Sequence, residues 1–258
     1  RQLPSGNVYP VTLPIALEEA NITAVTHMTG ATQWLALGTD DGHIISMRIR
    51  FRSVFDAAGT QETIPQMSVE PAFAIDPTHA PIIRLAYQHD DDGISAIALN
   101  NQGHLWYGTF RTLDHGYESV QPPVDLSPHI TGTITSLVMD GSGEIFAAGT
   151  SNGELYYWKT QYDAPPVLIG AYRVAPAGVA ITAIAYLIGD RSLIIGTAKG
   201  SVSAWAELSG RQDPAHSRLH AIHHLAPHST PVTVIAPSQR NKGFITSDTT
   251  GNLHIHHA

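Results

Sequence analysis

Three histidines occupy equivalent positions from which they could do chemistry. His79, His129 and His228 each follow a proline by one or two residues. If they meet at one mouth of a ring-shaped fold, their imidazoles could bind a metal or, once protonated below about pH 6, an anion such as phosphate. The competing interpretation is that they are ordinary polar loop residues. We take them as candidate ligand-binding residues.

A second set of histidines lies near the C-terminus. His254 and His256 are two residues apart, so on a strand they face the same side. Together with His220 or His224 they could hold Zn²⁺ or Ni²⁺. Histidines on an outer strand are more often solvated, and their second-shell partners are not visible in a sequence. We therefore assign neither a metal site nor a cofactor.

The sequence contains no recognisable catalytic motif. It has no Gly-x-Ser-x-Gly nucleophile elbow and no glycine-rich phosphate loop. The acidic turn at 90–93 lacks the alternating spacing of a calcium loop. Carboxylates are scarce beside the segments that carry the loop histidines, which disfavours glycoside hydrolysis. We predict that the chain is not an enzyme, with a ligand-binding or hydrolytic domain whose site lies at the mouth of the ring as the alternative.

These residues are positioned by a repeat of about 50 residues, a period typical of propellers and solenoids. Its clearest copies run from Ile134 to Trp158 and from Ile181 to Trp205, and three others begin at Ile22, Ile82 and Val232. Each copy has three short apolar segments, a, b and c, which are too short for helices. Glycine recurs at every b-to-c junction because a tight hairpin needs a positive φ: Gly42, Gly103, Gly153, Gly200 and Gly251.

A fourth segment, d, precedes each a segment, and four of its five copies end in proline. Four strands in a repeated unit are typical of a propeller blade. We therefore predict a single all-β domain over residues 1–258. It is a β-propeller of four-stranded blades with five visible repeats, complete or part of a larger propeller, and with almost no helix. The N-terminal d segment, Pro10–Ala20, is expected to pair with the last repeat and close the ring.

The longest insertion follows the c segment of the first repeat. The pattern predicts an extended strand over Ile44–Val54 and then a mobile loop through Ala57–Thr60.

The three candidate histidines lie in d-to-a loops, which share one face of a propeller with the b-to-c loops. Their convergence therefore depends on the order of the blades.

Composition restricts the partners. The formal net charge is −8, from 14 Lys and Arg against 22 Asp and Glu, which disfavours nucleic acid and anionic membrane surfaces. There is no Cys, so disulfides and thiolate zinc sites are excluded. No signal peptide or membrane span is visible. The chain begins at Arg1, which suggests a piece of a longer protein.

The repeats are similar to WD repeats in part only. Trp158 and Trp205 stand five residues after the turn glycine, but Met47, Gly108 and His256 occupy that place elsewhere. No Gly-His pair precedes segment a. We therefore expect a divergent WD-like propeller without the buried hydrogen-bond network of true WD repeats.

The first repeat resembles a more specific family. WLALGTDDGHIISMRIRFRSVF (Trp34–Phe55) is similar to the propeller-like insert in the large form of proteobacterial phosphate ABC transporter permease subunits. The matching features are Leu37–Gly42, with its Leu-Gly-Thr and Asp-Gly pairs, and the alternating basic and aromatic residues of Arg48–Phe55. The closing segment Gly251–Ala258 is similar as well. Such inserts continue beyond the matched region, which leaves a further blade open.

The resemblance implies a non-catalytic interaction domain on the periplasmic face of the inner membrane, supporting phosphate import. Its partners would be the phosphate-binding protein or other transporter subunits, and it would reach the membrane only through helices outside this chain. The family assigns no functional residue within the insert. A cytoplasmic WD-like scaffold is the alternative that needs no transporter.

Overall fold

A computed structural model describes residues 20–27, 33–55, 59, 61–90, 93–210 and 213–257. Their strands form five antiparallel sheets, which are the blades of a five-bladed β-propeller. Strand a of every blade starts at the residue that the repeat predicts. Among the described residues the only helix is a 3₁₀ turn at Ser127–His129. The predicted fold class is thus confirmed.

Blades 1 and 2 each have five strands, because both carry an extra strand on strand c. In blade 1 they are β1 (Ile22–His27), β2 (Gln33–Thr39), β3 (His43–Phe55), β4 (Gln61–Val69) and β5 (Phe73–Ala74). In blade 2 they are β6 (Ile82–His89), β7 (Gly93–Asn100), β8 (Leu105–Leu113), β9 (Gly116–Ser119) and β10 (Val124–Asp125).

Blades 3 and 4 have four strands, and three strands of blade 5 are described. Blade 3 contains β11 (Ile134–Met139), β12 (Ile145–Thr150), β13 (Glu154–Lys159) and β14 (Val167–Arg173). Blade 4 contains β15 (Ile181–Tyr186), β16 (Leu193–Thr197), β17 (Val202–Gly210) and β18 (Asp213–His224). Blade 5 contains β19 (Val232–Pro237), β20 (Gly243–Asp248) and β21 (Leu253–His257).

The blade is offset by one strand from the sequence repeat. Each d segment pairs with strand c of the preceding repeat, as β10 pairs with β8 and β18 with β17. By the same rule the N-terminal d segment would pair with β21. That segment lies outside the described residues except for Ala20, so closure of the ring by it stays a prediction.

The long insertion of blade 1 is a hairpin. The extended strand that the sequence predicts is present as β3, but β4 returns along it from Met47↔Val69 to Phe55↔Gln61. The sequence analysis missed β4, because Pro65 and polar residues interrupt its apolar pattern. Of the expected mobile loop, residues 57, 58 and 60 lie outside the described part.

In blades 1, 3 and 4, the glycine near the end of strand b lies so close to the first residue of the next strand a that an added Cβ would clash with it. This contact seats each of these three blades on the next. At Gly38 the Cβ would lie 2.7 Å from Ile82 Cγ2, at Gly149 2.7 Å from Ile181 Cγ2, and at Gly196 2.6 Å from Val232 Cγ1. Only glycine permits this approach.

A β-bulge at the start of strand a adds a hydrogen bond between blades. All five a strands shift register between their first and third residues. The bulge frees the second residue, and the Thr23 hydroxyl donates to Ile82 O at 2.5 Å. Thr135 Oγ1 donates in the same way to Ile181 O at 2.6 Å.

The apolar core lies between blades. Four clusters of buried residues each join two neighbouring blades, from blades 1 and 2 to blades 4 and 5. A fifth, Leu37, Ile45 and Met47, lies on the face of blade 1 that points away from blade 2.

No described helix is long and apolar enough to cross a membrane.

All five predicted b-to-c glycines have φ between +80° and +90°. They differ in what surrounds them. A Cβ on Gly200 would lie 2.2 Å from the carbonyl oxygen of His228, whereas a Cβ on Gly103 would meet nothing within 4 Å.

This difference gives a matched pair of variants. Gly103→Ala should cost about 1–2 kcal/mol of unfolding free energy, because only left-handed backbone strain is added. Gly200→Ala should cost about 3 kcal/mol, since the loop that carries His228 must also move. Urea unfolding followed by tryptophan fluorescence measures both. Equal losses would show that the contact between Gly200 and the His228 loop is not tight.

Candidate functional site

The five a strands surround a central cavity of about 290 Å³. At one end, the a-to-b turns of neighbouring blades touch. Gln88 Nε2 donates to Gly141 O at 2.6 Å, and a Cβ on Gly141 would lie 2.8 Å from Asp190 Oδ2. Asp140 and Asp190 therefore make this mouth of the cavity acidic.

The surroundings of Asp140 disfavour its ionised form. Burial raises its pKa, and the negative charges of Asp190 and Glu144 act in the same direction. Hydrogen bonds from Ile145 N at 3.1 Å and Ser142 Oγ at 2.7 Å favour the carboxylate but do not outweigh burial. The net shift is upward.

The candidate histidines are not equivalent. His79 and His129 are exposed, whereas His228 is buried, with a relative exposure of 5%. Among the described residues, the three do not form one group with ring nitrogens close enough to share an ion. That these three residues bind an anion together stays a prediction.

His228 belongs to a buried hydrogen-bond network in blade 5. Its Nδ1 lies 3.3 Å from Asp248 Oδ2, and its Nε2 lies 2.7 Å from Thr246 Oγ1. Thr246 Oγ1 in turn lies 2.9 Å from His256 Nε2. The chain of bonds links the d-to-a loop to strands b and c, so it fastens the loop to the blade.

The prediction that a buried hydrogen-bond network like that of WD repeats is absent is wrong for this blade. It rested on the missing Gly-His pair and on His256, which stands where a tryptophan would mark a WD repeat. An imidazole nitrogen can nevertheless hydrogen-bond Thr246, and the ring stacks on Phe244 at 4.7 Å between centroids. No apolar pattern marks the network, but Thr246, Asp248 and His256 alternate along β20 and β21.

The second set of histidines does not come together as the sequence predicts. His254 and His256 meet His228 rather than His220 or His224. The reason is the strand offset, since β18, which carries His220 and His224, belongs to blade 4. His228 and His254 stack with ring centroids 3.9 Å apart.

The environment fixes two ionisation states in the network. Burial works to raise the pKa of Asp248, but hydrogen bonds from Thr250 and Asn252 outweigh it and the pKa is lowered. Burial lowers the pKa of His256, and nearby His254 and His228 add to the effect. The network therefore pairs an ionised carboxylate with a neutral His256 at pH 7.

The β3–β4 hairpin is the second candidate site. Among the described residues, β2 pairs with β3 as far as Gln33↔Ile49, and from Arg50 onward β4 is the described neighbour of β3. Because side chains alternate, Arg48, Arg50 and Arg52 share one face. The opposite face carries the apolar residues Ile49, Phe51, Phe55, Pro65 and Met67, with the polar pair Ser53↔Thr63 between Phe51 and Phe55. Phe51 and Phe55 are 59% and 69% exposed.

Stacked rings anchor the base of this hairpin. The Arg48 guanidinium lies 5.5 Å from the centroid of the Trp34 ring, and Trp34 stacks on His89 at 3.9 Å. Burial lowers the pKa of His89 and thereby favours the neutral ring. The basic face thus begins on a packed aromatic support, and as a c-to-d connection its tip emerges on the side of the acidic mouth.

No protein-family model matches the chain, and no curated protein matches it. Solved propellers are similar in fold. Sqt1 from Chaetomium thermophilum, bound to the N-terminus of the ribosomal protein L10, has a TM-score of 0.56 at 17% identity over 91% of this chain. BBS1N in complex with ARL6DN has a TM-score of 0.61 at 16% identity over 96%.

A propeller from the mitotic checkpoint complex has a TM-score of 0.56 at 14% identity over 93% of this chain. This chain spans 58% of that Sqt1 chain, 68% of the BBS1N chain and 64% of the checkpoint chain. At such identities, the similarity supports a WD-like propeller fold and does not carry a function over to this chain.

Asp140 gives a pH-dependent prediction. Because its folded pKa is raised, the stability that it contributes is present below its unfolded pKa of about 3.9 and is lost as pH rises through the folded pKa. Asp140→Asn should therefore gain in melting temperature relative to the wild type between pH 4 and pH 7.5. The exposed Asp114→Asn controls for net charge. A difference that does not grow with pH would contradict the assigned shift.

Proposed function

We propose that this chain is a non-catalytic protein-interaction propeller that docks its partner on the β3–β4 hairpin. The observation that carries the proposal is the hairpin itself. It presents two large aromatic side chains to solvent, Phe51 and Phe55. Exposed aromatic residues beside arginines have the composition of interface hot spots.

The two faces of the hairpin define the chemistry of the partner. The apolar face continues from Leu37, Ile45 and Met47, which lie on the same side of blade 1. The opposite face carries Arg50 and Arg52, both exposed, in a chain whose net charge is −8. An acidic protein segment with apolar anchors complements both faces, and the charges would also steer its approach.

Within this function, we propose that the partner is the phosphate-binding protein or another subunit of a phosphate importer. The support is the resemblance of Trp34–Phe55 to the permease insert, because that segment contains the whole of the hairpin's first strand, β3. The chain would then lie on the periplasmic face of the inner membrane and support phosphate transport without binding the membrane itself.

Two other functions are each supported by a specific observation. The similar propellers of Sqt1 and BBS1N are described in complexes with proteins, which supports a cytoplasmic scaffold equally well. The acidic mouth at Asp140 and Asp190 favours a ligand-binding or hydrolytic site at the end of the cavity. A ligand-binding or hydrolytic site does not account for the exposed hairpin at Phe51 and Phe55.

Binding experiments separate docking on the hairpin from other modes. The chain is immobilised, and the phosphate-binding protein and the detergent-solubilised transporter subunits are titrated by biolayer interferometry. The double variant Phe51→Ser/Phe55→Ser should weaken Kd at least tenfold, because truncating an anchor typically costs about 2 kcal/mol or more. Tyr162→Ser, which removes an exposed aromatic from blade 3, should leave Kd unchanged.

Arg50→Glu/Arg52→Glu should mainly slow association and reverse the salt dependence of the rate. If the wild type binds but both double variants bind equally well, the hairpin is not the docking surface. If none of the transporter proteins binds, the importer is not the partner, and the interaction function must be tested with other proteins.

The full-length sequence provides a separate test of the importer. We expect a membrane-spanning stretch of about 20 apolar residues upstream of Arg1. A start methionine followed by a polar leader would instead favour the cytoplasmic scaffold. Reading the gene upstream of this segment decides between them without a binding assay.

A further inference from the structure

The histidines of blade 5 form a cluster that the docking function does not use. His228, His254 and His256 each offer a ring nitrogen, and these atoms lie within 4.8 Å of one another. His228 and His256 are buried and His254 is half-buried. Within the described part of the chain, this is the one group of at least three metal-ligating side chains at such distances.

One atom of the cluster is unexplained by the protein alone. His254 Nδ1 is buried, yet the described residues give it no hydrogen-bond partner. A buried polar atom without a partner costs on the order of 1–3 kcal/mol. Its ring is held by stacking on His228 and by an edge contact with His256 at 6.0 Å between centroids. The His254 ring therefore packs against two imidazoles, and one nitrogen of each of the three rings lies within 4.8 Å of the others.

We infer that His254 Nδ1, together with one ring nitrogen each from His228 and His256, binds a divalent transition-metal ion of the zinc class. Three imidazoles and an open fourth position are a common zinc ligand set. Hard cations such as Ca²⁺ and Mg²⁺ prefer oxygen ligands, so the donor set disfavours them.

The neighbouring groups suit such a site. Asp248 accepts from His228 Nδ1, which leaves Nε2 of the same ring as its ligand atom and orients it. Thr246 now bonds that Nε2 and His256 Nε2, so metal binding replaces these two hydrogen bonds. In a tetrahedral site with Zn–N bonds of about 2.1 Å, ligand nitrogens are about 3.4 Å apart, so the nitrogens must approach one another by at most about an ångström and a half. The stacked rings of His228 and His254 must also turn, because an imidazole nitrogen binds a metal in the plane of its ring.

Metal binding would tie the d-to-a loop to strand c of the last blade. Among the described residues, β21 pairs with β20 alone. A ligand that binds only the folded protein stabilises it in proportion to its affinity and concentration. The melting temperature should therefore rise with zinc.

The test uses untagged protein dialysed against chelator. Calorimetric titration with ZnCl₂ at pH 7.5 should give one site per chain, and Co²⁺ should give the visible absorption of a tetrahedral nitrogen site. His254→Phe keeps an aromatic ring for stacking but removes the ligand atom. It should weaken zinc binding at least tenfold while the metal-free protein still folds, as circular dichroism would show.

The control removes the exposed histidines of β18. His223→Gln/His224→Gln should leave zinc binding unchanged. If this double variant loses the metal and His254→Phe keeps it, the ion binds on the outer strand of blade 4 and the inference is wrong. Absence of binding in the wild type overturns it as well.

A wild-type measurement covers the case in which His254→Phe does not fold. Long-range ¹H–¹⁵N spectra of the imidazoles report which ring nitrogens bind zinc. Shifts of nitrogen signals in His228, His254 and His256 together support the site. Shifts confined to other histidines contradict it.

Discussion

The close approach of strand b of one blade to strand a of the next is the constraint on which the ring depends. Gly149 is in contact with Ile181 where any Cβ would clash, and Gly38 and Gly196 make the same contact in their blades. The bulge beside it allows Thr135 to hydrogen-bond Ile181 O. The apolar clusters that join blades 1, 3 and 4 to the next blade pack beside this close backbone approach.

The outer strands do not make this contact, and the five blades differ from one another most there. The c-to-d connection lies away from the ring axis, so lengthening it does not disturb the contacts between blades. Blade 1 uses this freedom to build the β3–β4 hairpin, and blade 4 has a long hairpin of β17 and β18. A docking surface on such an extension can change while the inner strands stay fixed.

In blade 5, histidines form a buried hydrogen-bond network. Where blades 3 and 4 place Trp158 and Trp205, it places His256, a smaller ring that cannot fill the same volume but can hydrogen-bond. Thr246 and Asp248 then connect His256 and His228 into one network. The polar network thus fastens the d-to-a loop to the blade.

The sequence by itself determined the blade starts, the b-to-c turns and the fold class, because these depend on local patterns: short apolar strands, glycine at positive φ, and a repeat of fixed order. It also placed an extended strand after Ile44. Only the tertiary structure decided that β4 returns along this strand, since a polar strand containing Pro65 carries no alternation. It alone brought His228 to His254 and His256, because strand d pairs with the preceding repeat and histidines distant in sequence meet only across a sheet.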